Sequence, residues 1–195
     1  MNNYTLLKMS STLIPIQAKN FSNQRLDEAE YEGQQFLNCD FTNARLNGVE
    51  FIDCVFENCN FSNATFDAAA LKNCLFQECK LMGVSFSVIR DFGFEIHMKQ
   101  CNLSYASFDK KKVYKSSFEQ CNMEGVNFTQ ADLSKCKMVH CNLQEALFSN
   151  TNLSGVDFRT NTNFIIHPAA NNIKKARFQS HDLYRLLTAY AIVID

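Results

Sequence analysis

Nine cysteines and four histidines are the residues of this chain with the widest chemical repertoire. Thiols and imidazoles bind zinc when they converge on one point, commonly from Cys-x2-Cys spacings, and a cysteine beside a histidine can act as a nucleophile. The chain has no Cys-x2-Cys spacing, no glycine-rich phosphate loop and no nucleophile with a spaced base partner. Its histidines are scattered, at His97, His140, His167 and His181. We therefore predict a non-enzymatic protein that binds no metal and no cofactor.

The cysteines follow a different rule. Each lies two positions before a large apolar residue, and that apolar residue recurs every five positions. A thiol at such a position behaves as a small buried hydrophobe. The cysteines therefore indicate packing inside a narrow interior. Two series have members twenty residues apart, Cys39, Cys59 and Cys79, then Cys101, Cys121 and Cys141.

The large apolar residue, which we call the centre, recurs without a miss from Phe41 to Phe86. A period of five fits neither regular element, because the centres would spread around a helix or alternate between the two faces of a strand. The chain must turn every five residues, so that the centres and the small residues point to one axis. Twenty residues make four pentads, which predicts a four-sided coil with a rise of about 4.8 Å.

This pattern resembles the pentapeptide repeat family, in which a small residue is followed by Asp or Asn, by Leu or Phe, and by two polar residues. The resemblance extends over most of the chain and implies an all-β solenoid, a right-handed quadrilateral β-helix of about seven coils. Clear examples of the motif are Cys39-Asp40-Phe41-Thr42-Asn43, Cys59-Asn60-Phe61-Ser62-Asn63, Cys101-Asn102-Leu103-Ser104-Tyr105, Ala131-Asp132-Leu133-Ser134-Lys135 and Val156-Asp157-Phe158-Arg159-Thr160.

Changes in the repeat phase divide the chain into three predicted segments. We expect an N-terminal cap over residues 1–20, the β-helix over 21–178, and a C-terminal helix and tail over 179–195. The phase breaks near 87–99, because Leu103 follows Phe86 two residues later than the pentads require, which indicates a two-residue insertion. Phe92 and Phe94 in this break are candidates for contact with a partner, or for packing back onto the coil.

One lysine, Lys111, occupies a small inward position. An unpaired ammonium is not stable in an apolar interior, so we expect the backbone to bulge there or the side chain to reach water. Lys110, Lys112 and Lys115 lie beside it and form a basic spot in the middle of the rod.

The formal net charge of −1 excludes a nucleic-acid-binding protein of the strongly basic kind. The charge is nevertheless zoned, because acidic residues predominate near the N-terminal end. This acidic zone is either a solvated outer face or a surface that meets a basic groove. It consists of Asp27, Glu28, Glu30, Glu32, Asp40, Glu50, Asp53 and Glu57.

The C-terminal residues predict an α-helix with Ser180 as its N-cap and one apolar face, followed by an Ile/Val-rich tail. One helix can cap the last coil. The helix and tail together offer more apolar surface than a cap requires, which predicts a homodimer. The expected dimer residues are Leu183, Leu186, Leu187, Tyr190, Ile192, Val193 and Ile194.

This C-terminal arrangement resembles the Qnr-type quinolone-resistance members of the family. The resemblance implies two rods joined through their C-terminal elements, and binding to the type II topoisomerases DNA gyrase and topoisomerase IV by mimicry of duplex DNA. It further implies protection against quinolones or toxins, without direct binding of nucleic acid. The alternative is a structural or adaptor rod for an unknown protein partner. No stretch resembles a secretion signal or a membrane span, so we expect a cytoplasmic protein that binds no membrane.

Overall fold

Short parallel strands dominate the computed structural model, which describes residues 14–26, 29–113 and 115–193. Residues 1–13 of the predicted cap lie outside this described part. The first strand begins at Ile16, inside the range predicted for the cap. The strands are β1 (Ile16–Gln17), β2 (Glu30–Glu32), β3 (Gln35–Leu37), β4 (Glu50–Ile52), β5 (Val55–Glu57), β6 (Ala70–Lys72), β7 (Cys74–Gln77), β8 (Ile96–Lys99), β9 (Ser117–Glu119) and β10 (Lys137–Val139).

These strands belong to a four-sided coil whose faces we number in chain order. Faces 1 and 2 are held by isolated parallel bridges that begin at Asn20 and Arg25. Face 3 carries the three-stranded sheet β2-β4-β6, and face 4 carries the seven-stranded sheet β1-β3-β5-β7-β8-β9-β10. Seven stacked strands are joined by six coil steps. The predicted all-β solenoid, a right-handed quadrilateral β-helix, is confirmed.

The register between neighbouring coils is twenty residues, except at the predicted break. Phe36 pairs with Phe56, and Phe56 pairs with Phe76. The next pair on the same face is Phe76 with Met98, which lie twenty-two residues apart. The two-residue insertion is therefore confirmed. It lies on face 3, where the sheet ends at β6 and later coils pair through bridges that begin at Lys112.

Stacked aromatic rings fill the N-terminal half of the core. The Phe41 and Phe61 rings lie parallel with centroids 4.5 Å apart, and the Phe56 and Phe76 rings follow at 4.7 Å. Rings on adjacent faces meet edge to face, as Phe56 and Phe61 do at 5.2 Å. Both geometries suit the quadrupole of an aromatic ring. The centres therefore point inward, as the period of five predicts.

The corners of the coil explain why asparagine recurs two positions after the centres. Asn43, Asn58, Asn63 and Asn73 all have positive φ angles, between 51° and 57°. Asparagine tolerates this left-handed region better than most residues with a side chain, because its amide forms local hydrogen bonds. Each corner turns the chain and sends the next pentad along the next face.

All nine cysteines are buried with free thiols. Eight of the thiols donate hydrogen bonds to the backbone of the preceding coil, as the Cys59 thiol does to the Phe36 carbonyl at 3.4 Å, whereas the Cys136 thiol donates to the carbonyl of Lys137. Burial raises the pKa of Cys54 to about 12 and that of Cys74 well above its usual range. Cys54 and Cys74 are therefore small packing groups that remain protonated at neutral pH.

The C-terminal segment differs from the predicted α-helix. It forms 3-10 helices at Pro168–Ala170, Ser180–Leu186 and Thr188–Tyr190. Gln179, rather than Ser180, precedes the second of these, and its side chain makes no capping hydrogen bond. The apolar spacing over this segment fits both helix types over so few turns, so the sequence pattern did not separate them.

We expect Phe61→Ala to lower the free energy of unfolding by about 3 to 5 kcal/mol, because it removes a ring in contact with rings on the coils above and below. Phe61 is fully buried and stacks on Phe41. Urea denaturation followed by circular dichroism measures the change. The control is Lys80→Ala at an exposed position of the same face, for which we expect less than about 0.5 kcal/mol. Equal effects of the two changes would contradict the inward placement of the centres.

Candidate functional site

The described part of the predicted acidic zone lies at outward positions of three faces: Asp40 on face 1, and the other members on faces 3 and 4. Glu30 and Glu32 lie on β2, and both side chains are exposed. Glu30 pairs in register with Glu50 on β4, one coil step away. Asp27 and Glu28 lie outside the described residues. The two glutamates of β2 are therefore open to a partner.

Glu50 is neutralised by two cations from later coils. Its carboxylate accepts a hydrogen bond from Lys72 at 2.8 Å and a second from Arg90, which lies forty residues further along the chain. The Lys72 ammonium, with Arg90, holds the pKa of Glu50 below its usual range. Glu50 therefore ties coils together and adds little net charge to the acidic zone.

Two further members of the zone take part in local hydrogen bonds. The Asp40 carboxylate accepts bonds from the Thr42 backbone N–H at 2.9 Å and from the Thr42 hydroxyl at 2.6 Å. Asp53 accepts a bond from the Asn73 amide at 2.6 Å. Glu57 lies half-buried on β5 of face 4. The predicted zone is therefore divided among three faces, and part of it stabilises turns.

The inserted segment forms a loop over residues 87–95 that projects from face 3. Phe92 stands at its tip and is 87% exposed. Phe94 is 7% exposed and belongs to the core, so its predicted role as a contact residue is wrong. The two candidates behave differently because Phe94 occupies the inward position that a centre fills in other coils, whereas Phe92 belongs to the extra chain that the coil does not accommodate.

Lys111 holds this loop from the coil beneath. Its side chain is 1% exposed, and its ammonium lies 2.9 Å from an Asp91 carboxylate oxygen. The ammonium also donates a hydrogen bond to the Ile89 carbonyl and lies 4.5 Å from the centroid of the Phe94 ring. The expectation that Lys111 bulges outward or reaches water is therefore wrong. The loop supplies the partners that allow the charge to remain buried.

Sequence reasoning missed this contact between Lys111 and the loop. Burial lowers the pKa of the lysine, and the hydrogen bond from its ammonium to Asp91 opposes that effect. The signal available in the sequence was the coincidence of two irregularities one coil apart, a charged residue at an inward position and a two-residue insertion. The inserted loop supplies partners for the buried lysine, and the lysine in turn holds the loop in place.

The C-terminal 3-10 helices form a third candidate surface, after the acidic zone and the inserted loop. Leu183, Tyr190 and Ile192 are about half exposed, and Val193 is 87% exposed. Leu186 is buried against the last coil, so it serves as a cap and is not available to a second copy. Ile194 lies outside the described residues. A shallow groove of about 420 Å³ crosses this surface, lined by Tyr184, Leu187, Thr188, Ala191 and Ile192.

Neither metal-binding clusters nor membrane-spanning helices occur in the described ranges. Within residues 14–26, 29–113 and 115–193, no three His, Cys, Asp or Glu side chains converge to hold a metal ion. Over the same residues, every helix is too short or too polar to cross a bilayer.

We expect Lys111→Met to loosen the inserted loop, because methionine fills the space but leaves the Ile89 carbonyl without its donor. Amide hydrogen exchange over residues 88–95 measures the effect. Exchange should accelerate on the order of tenfold, which corresponds to about 1.4 kcal/mol of local stability. The control is Lys112→Met, at an exposed position one residue away. Unchanged exchange in the Lys111 variant would show that the lysine does not hold the loop.

Comparisons with known proteins agree with this architecture. A family profile described as a pentapeptide repeat region matches residues 111–186, and one described as pentapeptide repeats in nine copies matches residues 32–75. The two ranges together include more than half of the chain. No curated protein sequence matches significantly.

Solved structures of the same architecture also match. A trypsin-treated variant of QnrB1, described as a plasmid-mediated fluoroquinolone resistance protein, superposes with a TM-score of 0.62 at 17% identity, over 93% of this chain and 100% of that one. HetL, a pentapeptide repeat protein from the cyanobacterium Nostoc, matches with a TM-score of 0.34 at 15% identity, over 91% of this chain and 92% of that one. At these identities the likeness is one of fold. The repeats, the four-sided coil and both profile matches together show that the chain belongs to the pentapeptide repeat family.

Proposed function

We propose that this protein binds type II topoisomerases, DNA gyrase or topoisomerase IV, and protects them against quinolones or gyrase-directed toxins without enzymatic activity. The observation that carries the proposal is the superposition with the trypsin-treated QnrB1 variant over the whole of that chain, since QnrB1 is described as a fluoroquinolone resistance protein. The exposed carboxylates of Glu30 and Glu32 support it, because they form an anionic surface complementary to a basic DNA-binding groove.

The dimensions of the rod suit partial mimicry of duplex DNA. The bridges of face 1 link Asn20 to Thr162 in seven coil steps, which give roughly 34 Å, close to one turn of duplex DNA. Duplex DNA carries one charge per about 1.7 Å, and this chain is nearly neutral. Mimicry is therefore confined to the part of faces 3 and 4 that presents Glu30, Glu32 and Glu57, where Glu50 is neutralised by Lys72 and Arg90.

The inserted loop adds an apolar contact to this surface. Phe92 is exposed at the tip, while Asp91 and Ile89 hold the base of the loop on Lys111. A rigid aromatic side chain is a typical anchor of a protein interface, because little conformational freedom is lost when it binds. Arg90 joins the loop to Glu50 of the acidic zone. The anionic surface and the aromatic tip therefore form one continuous contact region.

Homodimerisation through the C-terminal surface completes the proposal. The apolar side chains of Leu183, Tyr190, Ile192 and Val193 are exposed at the end of the rod, where Ile192 also lines the groove. A two-fold axis through this end would bury them and double the length of the rod. Residue 194 extends the predicted surface beyond the described residues.

The second candidate function is an adaptor rod that binds another protein through its flat faces. The near-neutral charge and the ion pairs of Glu50 favour it, because they reduce the resemblance to DNA. Under this alternative, the aromatic tip and the C-terminal groove remain contact sites and the acidic zone is a solvated face.

We expect purified protein to restore supercoiling by DNA gyrase in the presence of a fluoroquinolone, or to suppress cleavage stabilised by the drug. The double substitution Glu30→Lys and Glu32→Lys should abolish this protection at equal concentration, since it reverses the charge of the exposed acidic surface. Agarose gels that separate supercoiled, relaxed and cleaved plasmid measure the outcome.

The matched control for the gyrase assay is Glu124→Lys with Glu145→Lys, which makes the same change of charge on face 1. Full protection of gyrase by the Glu30/Glu32 variant would contradict binding by DNA mimicry. An unchanged plasmid distribution across a titration of the native protein would favour the adaptor rod.

We expect native protein to sediment as a dimer and the double substitution Leu183→Glu with Ile192→Glu to be monomeric, because two charges cannot be buried unpaired at the apolar surface. Analytical ultracentrifugation measures the mass. Leu147→Glu, at another exposed apolar position, is the control and should leave the dimer intact. A monomeric native protein at micromolar concentration would refute the proposed interface.

A further inference from the structure

The corner between faces 3 and 4 gathers positive charge in the C-terminal half of the rod. Six cationic residues there occupy the last positions of face 3 or the first position of face 4. All six side chains are exposed. We call this set the basic strip: Lys115, Lys135, Lys137, Lys174, Lys175 and Arg177.

The register of the coil places these residues beside one another. On face 3, the Val113 N–H donates to the Asp132 carbonyl and the Leu133 N–H to the Asn152 carbonyl, both at 2.9 Å, which sets a step of twenty residues. Lys115, Lys135 and Lys175 therefore occupy equivalent corner positions. The span from the first to the last is three coil steps, or roughly 14 Å.

The strip carries little compensating charge. Among the residues that the structure describes, none of its six members lies within ion-pair distance of a carboxylate. The acidic residue in line with the strip is Asp157, whose backbone forms a parallel β-bridge with that of Arg177. Its carboxylate is bound by the Arg159 guanidinium at 2.7 Å and 3.0 Å, and this contact holds the pKa of Asp157 below its usual range. The strip therefore remains strongly cationic.

We propose that the basic strip binds the phosphate backbone of duplex DNA without reading its sequence. Six cations over roughly 14 Å give one charge per about 2.4 Å, which is close to the duplex value of one per about 1.7 Å. The strip is straight and lies on a convex edge, so it tracks phosphates along one line. No helix or ribbon of the described chain projects beside it to enter a groove, and contacts limited to phosphates carry no sequence information.

The net charge of the chain conceals this site. The value of −1 combines an acidic N-terminal part with a basic C-terminal part, and for that reason the composition predicts no binding of nucleic acid. Residues 115, 135 and 175 are far apart in sequence and are brought together by the coil. The proposal does not depend on binding to a topoisomerase. If both hold, the acidic surface contacts the enzyme while the strip contacts the DNA that the enzyme carries.

Fluorescence anisotropy with a labelled 20-base-pair duplex of arbitrary sequence tests the proposal in the absence of any topoisomerase. We expect binding at 50 mM NaCl, with the association constant falling on the order of a thousandfold by 200 mM because about six counterions are released. The variant carries Lys135→Gln, Lys137→Gln and Lys175→Gln. With three contacts removed, its decrease over the same salt range should be only about fortyfold, from a weaker starting affinity.

The matched control carries Lys80→Gln, Arg25→Gln and Arg45→Gln, the same change of charge on faces 1 and 2 of the N-terminal half, and should retain native affinity. Circular dichroism verifies that both variants are folded. Absence of duplex binding at 50 mM NaCl would overturn the proposal, and so would equal loss in the control. A labelled polyglutamate 20-mer is measured beside the duplex. Binding of the peptide without the duplex would also overturn it, in favour of an acidic protein partner.

Discussion

The register between coils is the constraint on which the rest of this structure depends. Each inward side chain meets an equivalent side chain one coil step away, as Phe41 meets Phe61 at 4.5 Å. Backbone hydrogen bonds such as that from the Phe61 N–H to the Lys80 carbonyl, at 2.7 Å, fix the same step. Packing and hydrogen bonding therefore require one repeat length. Any added residue must leave the coil, because retaining it would displace every later side chain from the core.

The inserted loop shows how the fold accommodates such an addition. The two extra residues move part of the chain out of face 3, and this opens space above the inward position of Lys111. The loop then returns Asp91, the Ile89 carbonyl and the Phe94 ring to that space. A buried ammonium with these partners is tolerated, whereas one without them would be strongly destabilising. The same contacts present Phe92 to solvent in a defined position, so an irregularity of the repeat becomes a candidate binding feature.

Charge on the outward positions is not constrained by packing, and there the rod differs from end to end. Glu30 and Glu32 mark the acidic end, and the basic strip marks the other. The basic strip depends on the twenty-residue step, which aligns residues distant in sequence, whereas Glu30 and Glu32 lie on one strand. Glu50 illustrates the opposite effect, because the same step brings Lys72 beside it and removes its charge from the surface. A count of acids and bases along the chain therefore describes the surface poorly until the coil is built.

The sequence by itself determined the fold, the inward direction of the centres, the burial of the cysteines and the two-residue insertion. These follow from a strict period, and only one geometry satisfies a turn every five residues. The tertiary structure decided which irregular residues face inward. Phe94 and Lys111 are buried, and Phe92 is exposed, because their contacts are set by the neighbouring coil and not by adjacent residues. It also decided that the C-terminal segment is 3-10 rather than α-helical, since packing on the last coil outweighs weak local preference over so few turns.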